Sequence, residues 1–206
     1  MTEHPLYAAG AIESPGRRAL IQAALREVAL AGTTAVSLSH ISRSAGQSRR
    51  FARYEFADAD SLIIESAVLT ARDALVAGES NAFSSPFEHF EILATALMDH
   101  FGKYRLFYRA VLSGPLASRA NKQLDELVRP MNQLMVDQVS GPESAAADRA
   151  QTAEFFTARS RQIVGKWLTD PDSADTAEDI TPRLRRIVET LRSEAAPPSP
   201  RSPDSA

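Results

Sequence analysis

The four residues Ala45-Gly46-Gln47-Ser48 constrain this chain more than any other stretch. Gly46 suits a left-handed turn, and Ser48 suits a helix cap. They predict two short helices, one capped by Ser37 and one running from about Arg49 to Phe56. Leu38 and Ile41 of the first face inward. A longer helix precedes them. Ser14 caps it, Pro15 fits its first turn and Gly32 ends it. Its apolar residues Leu20, Ile21, Ala24, Leu25, Val28 and Ala29 form adjacent pairs every four residues, which is one buried stripe.

Helical punctuation continues to the C-terminal end. Asp58 caps a long helix. Ser85-Pro86-Phe87-Glu88 has capping-box spacing and opens a helix reaching about Phe101. Further helices are expected over 103–112, 117–139 and 143–168. A last one is expected with Thr181 as cap and Pro182 next. Ile180, Leu184, Ile187 and Leu191 then form a coiled-coil-like seam. No segment reads as a strand, and no internal repeat is visible. The expected fold is all-α. A loose arm occupies 1–13 and a disordered tail 195–206, rich in Pro and Ser. Between them lie a three-helix unit over 14–60 and a helical bundle over 61–194.

Charge is unevenly placed. The chain of 206 residues carries a net −3, yet residues 16–60 hold seven Arg against four carboxylates, a net +3. The remainder is a larger acidic body. With no Cys, disulfides, thiol catalysis and thiolate metal sites are all excluded. No apolar run is long enough for a membrane span or a signal peptide, so the chain reads as cytoplasmic, with no membrane partner. The four histidines (His4, His40, His89 and His100) make no zinc or di-iron spacing. No nucleophile elbow or phosphate-cradling Gly loop is present. No catalytic residue, metal or cofactor is expected. His89 reads as exposed and His100 as a pocket or core residue.

Two short helices joined by a Gly turn, behind a longer one, make a helix-turn-helix. Its second helix carries Arg49, Arg50 and Arg53 interleaved with Phe51, Tyr54 and Phe56. Arginines on such a helix can reach phosphates or guanine edges. From Arg17-Arg18 through AALREVALAG, SLSHISRSAG and SRRFARYEF to SLI, the sequence resembles the tetracycline-repressor (TetR) family of bacterial transcription factors. It departs from that family's usual turn and recognition helix at Gln47, Arg50, Phe51, Arg53, Glu55 and Ala59. The resemblance implies an all-helical homodimer: an N-terminal DNA-binding unit on a bundle that binds a small effector and pairs with its twin. The implied function is a ligand-responsive regulator, a repressor on a palindromic operator of double-stranded DNA. The alternative is a ligand- or partner-binding bundle that has lost DNA. The expected DNA contacts are Arg17, Arg18, Ser37, Ser48, Arg49, Arg50, Phe51, Arg53 and Tyr54.

The acidic body concentrates aromatic residues. Phe90, His100, Phe101, Tyr104, Phe107, Tyr108, Met131 and Met135 are the candidate contacts for a small apolar or aromatic effector, with Asn132 as a further polar group. Phe155, Phe156, Ile163, Val164, Trp167, Leu184, Ile187 and Leu191, on the last two helices, are the candidate dimer contacts. The long helix from Asp58 is the expected mechanical link between the two parts.

Overall fold

The computed structural model describes residues 7, 14–140 and 146–195. Residues 196–206 of the expected tail and most of the expected arm lie outside these residues, and Ala195 is helical. Tyr7 is described and is buried.

Among the described residues there are nine helices and no strand: α1 (Pro15–Ala31), α2 (Leu38–Ser44), α3 (Arg49–Glu55), α4 (Ala59–Glu79), α5 (Pro86–Lys103), α6 (Arg105–Leu112), α7 (Ala117–Ser140), α8 (Ala146–Thr169) and α9 (Ala177–Ala195). None is long and apolar enough to cross a membrane. The expected caps form. Ser14, Ser37, Ser48, Asp58 and Ser85 each accept a hydrogen bond from the backbone N–H three residues on, filling otherwise orphaned donors. Gly32 and Gly46 take the left-handed conformation, with φ of 64° and 66°. At Gly46 the turn closes as a Schellman motif, with Gln47 N–H donating to Ser42 C=O at 2.9 Å.

The last helix starts a turn earlier than expected. Thr176 and Asp179, rather than Thr181, organise its N-terminus: Asp179 Oδ2 accepts from Thr176 N–H at 2.8 Å. Thr181 lies inside the helix and donates to Ala177 C=O. Pro182 is therefore internal, and the helix goes without one early backbone bond.

The first three helices pack around Leu20, Ile41, Ala52 and Phe56, all buried. Helix α4 runs through the expected boundary at residue 60. It packs against α1 on one side and against α5 and α7 on the other. Helix α6 also reaches α1, while α5, α7, α8 and α9 close the bundle.

Candidate nucleic-acid interface and ligand cavity

Helix α3 has one face against the core and one face in solvent. Ala52 is fully buried, and Phe56 closes its end. Arg49, Arg50 and Arg53 are exposed, and Tyr54 is 85% exposed. Arg18 on α1 is also exposed. Among the described residues no carboxylate pairs with any of these four arginines. Ser37 and Ser48 sit at the starts of α2 and α3. Their oxygens accept the capping bonds at 3.2 and 3.1 Å, which leaves each hydroxyl proton free to donate.

Two expected contacts are placed differently. The Arg17 guanidinium is engaged inside the protein. Its Nη1 donates to Glu55 C=O at 3.2 Å and to Glu55 Oε2 at 3.0 Å, and its Nη2 pairs with Glu65. It also lies 4.4 Å from the Phe56 ring centre. The neighbouring carboxylates hold its pKa above the ordinary arginine value against the opposing effect of burial, which is the largest single influence. Phe51 is half-buried under the first turn of α1, and a Cβ on Gly16 would meet its ring at 2.7 Å. Phe51 is therefore a packing residue for α1 and α3.

The Arg17 clamp also accounts for Glu55, a carboxylate on a helix otherwise lined with arginines. Its side chain is 16% exposed and turned toward Arg17. Its charge is matched within the protein rather than aimed outward.

A second clamp ties α1 to α2. Glu27 accepts from Ser44 Oγ at 2.5 Å and Arg26 Nε at 3.3 Å, and its other oxygen lies 2.8 Å from His40 Nε2. Bonds from Ser44 first, then His40, hold its carboxyl down to about 2. An unfolded glutamate titrates near 4.3. The stabilisation is therefore present above about pH 4.3 and is lost as pH falls toward 2. Urea unfolding between pH 5 and 2 should show a steeper loss for the native chain than for Glu27→Gln. Parallel curves would remove Glu27 from this role.

Within the bundle a cavity opens between α5, α7 and α8. A water-sized sphere can place its centre over about 80 Å³ there, against roughly 10–15 Å³ for one water. Phe90, Leu97, Met98 and Phe101 of α5 form one wall. Leu124, Val128, Met131 and Asn132 of α7 form a second, and Phe156, Thr157, Ser160, Val164 and Leu168 of α8 a third. Leu112, Asn121, Gly165 and Leu184 complete it, and Asp125 and Arg161 pair with each other on its lining.

Three of the eight expected effector residues, Phe90, Phe101 and Met131, line this cavity, and so does Asn132. Tyr104 and Phe107 line a separate groove against α1. His100, Tyr108 and Met135 line neither and belong to the interior. Tyr108 O–H donates to Ala67 C=O at 2.8 Å, so its oxygen receives the His100 Nε2 proton at 2.9 Å. Thr70 Oγ1 is 3.3 Å from the same nitrogen. Burial, with the Lys103 charge adding, pushes the His100 imidazole down to about 4. It is a neutral structural residue. His89, expected to be exposed, is buried, 3.0 Å from Glu79 and stacked on Phe83 at 3.9 Å.

The expected dimer residues divide in the same way. Phe156, Trp167, Leu184 and Ile187 are buried against their own chain. Phe156, Val164 and Leu184 line the cavity. Ile163 is half-buried against the core. Phe155, 56% exposed, faces solvent, and the side chain of Leu191 lies outside those described.

No protein-family model matches the sequence, and no curated protein does. Solved structures do match. The fatty acid degradation regulator FadR from Bacillus halodurans shares 14% identity at a TM-score of 0.63, over 88% of this chain and 97% of that one. A TetR-family transcriptional regulator from Mesorhizobium loti shares 15% at 0.55, over 88% and 98%. A transcriptional regulator from Pseudomonas aeruginosa PAO1 shares 16% at 0.57, over 87% and 91%. Three helices carrying an arginine-faced α3, set on a six-helix bundle through α4 and α6, are thus an arrangement of known type: the chain has the all-helical fold of TetR-type regulators.

Proposed function

We propose that this chain is a one-component DNA-binding transcriptional regulator, acting in the cytoplasm as a homodimeric repressor. Two copies of α3 enter successive major grooves of a palindromic operator, about 34–36 Å apart. A small apolar or aromatic molecule in the bundle cavity alters that spacing and releases DNA. The observation that carries this reading is the outer face of α3: Arg49, Arg50 and Arg53 are exposed with no acidic partner, beside a Tyr54 that is 85% exposed. A surface aromatic flanked by unpaired guanidinium groups suits phosphate and base-edge contact. Arg18, Ser37 and Ser48 supply phosphate contacts around it. Arg17 holds the unit together instead. Phe155, apolar and exposed on α8, supports pairing of two chains through that helix. Nothing in the residues calls for catalysis.

Fluorescence anisotropy on the DNA upstream of its own gene, at about 50 and 200 mM salt, tests the reading. A dimer with ~6–10 phosphate contacts loses about 10³–10⁵ in affinity over that range and still prefers the native site to a scrambled duplex. No binding at either salt, in a folded dimer, would make the chain a ligand- or partner-binding protein of the same fold.

A further inference from the structure

We infer that the bundle cavity selects an uncharged molecule: a flat apolar body with one hydrogen-bonding group, such as a hydroxyl or ketone, in preference to a carboxylate or an amine. The inference rests on reading this cavity as the effector site.

The walls set the body. Phe90 and Phe156 meet edge to face with centroids 5.7 Å apart, and Phe101 and Met131 lie on the same lining. Aromatic edges and a polarisable thioether favour a ring system over a hydrated group.

One side chain sets the polar group. Ser160 Oγ is buried on the lining and has no hydrogen-bond partner. Native structures rarely leave such a group unpaired. Thr157 lies one turn away on α8, where its Oγ1 accepts from Asn132 Nδ2 at 2.9 Å. A single ligand oxygen or hydroxyl next to this stripe completes the bonding of Ser160.

The lining's charges decide against an ionic ligand. Asp125 and Arg161 neutralise each other across α7 and α8. Partial burial already raises the Asp125 carboxyl above its ordinary value, with Arg161 and Arg129 opposing the rise. A ligand carboxylate that took Arg161 would strand Asp125 beside a like charge. An ammonium that took Asp125 would strand Arg161 in the same way. Breaking the pair leaves one charge without its partner, a cost that water reduces because the Arg161 side chain is 47% exposed and that of Asp125 25%.

Calorimetric titration of the full chain with 1-naphthol, 1-naphthoate and 1-naphthylmethylammonium at about pH 7 varies only the head group. Naphthol should bind at least ~10-fold more tightly than either ion, the ratio expected from one stranded charge. Ser160→Ala should weaken naphthol by about 3–10-fold and leave naphthoate unchanged. Asp125→Asn should free Arg161 and tighten naphthoate by about tenfold, with naphthol little altered. Naphthoate binding as tightly as naphthol would overturn the inference. So would naphthol indifferent to Ser160→Ala, or no naphthol binding at about 1 mM. These titrations contain no DNA. If naphthoate bound tightly and still released operator DNA, the regulator would stand and only the head-group assignment would fall. Failure of operator binding would leave the head-group result standing.

Discussion

Replacing Arg50 and Arg53 together by alanine removes operator binding and leaves the fold at its native melting temperature. Both side chains are exposed and unpaired, and alanine is the better helix former. The change touches no cap, no buried bond and no core contact, so stability should move by less than about 0.5 kcal/mol. A dimer loses four guanidinium groups. If each meets a phosphate, the slope of log affinity against log salt becomes shallower by about 3–4. Operator affinity should fall by about 10³-fold or more at low salt. Arg17→Ala should behave in the opposite way. It leaves Glu55 and Glu65 without their partner, so it should lower the melting temperature first and affect DNA only through α3. Anisotropy titrations paired with thermal melts separate the two. A double variant with an unchanged salt slope would place the DNA contacts elsewhere.

The helix-turn-helix was legible because its signals are local. Ser14, Ser37, Ser48 and Asp58 each cap from within three residues, and Gly46 turns from its own φ. Arg17 was not legible as a clamp, because its partners lie 38 and 48 residues away. Sequence shows a basic residue. Only the packing of α1 on α3 and α4 shows that it is already engaged. Thr181 misled because a Thr-Pro pair is a start signal, yet Thr176 with Asp179 makes a stronger start one turn earlier.

The bundle was harder to read for one reason. Phe155-Phe156 and Ile163-Val164 looked like one apolar seam. Adjacent residues on a helix point about 100° apart. Phe156 is 1% exposed and Phe155 is 56%, so the pair serves two surfaces. The aromatic residues of α5 and α6 divide similarly. Phe90 and Phe101 face the cavity, whereas Tyr108 is buried in the interior and Phe107 lies under the groove against α1. Composition finds the apolar residues but not the partition among cavity, core and outer face.

Arg105→Ala should cost stability and also uncouple the cavity from the DNA-binding unit. Arg105 Nη2 donates toward the carbonyls of Trp167 at 2.9 Å, Asp170 at 3.1 Å and Ser173 at 3.1 Å. These lie at the C-terminal end of α8, where backbone acceptors lack helical partners and a cation opposes the helix dipole. Trp167 Nε1–H donates to Asp175 C=O at 2.8 Å, so the same turn is held from both sides. Water will replace part of what a half-exposed arginine supplies, so the expected loss is about 2 kcal/mol, or roughly 4–8 °C in Tm for a chain of this size. Arg105→Lys keeps the charge without the planar fork and should recover less than half. Arg105 begins α6, and α6 packs on α1. Through this residue the α8 wall of the cavity is latched to the helix that touches the DNA-binding unit. At temperatures well below Tm, the alanine variant should bind operator and 1-naphthol separately with near-native affinity. Their mutual effect, ordinarily about 5–150-fold for coupled sites, should shrink to less than about threefold. Coupling that survived in the alanine variant would route the signal through α4 instead, the other helix that packs on α1 and on the bundle.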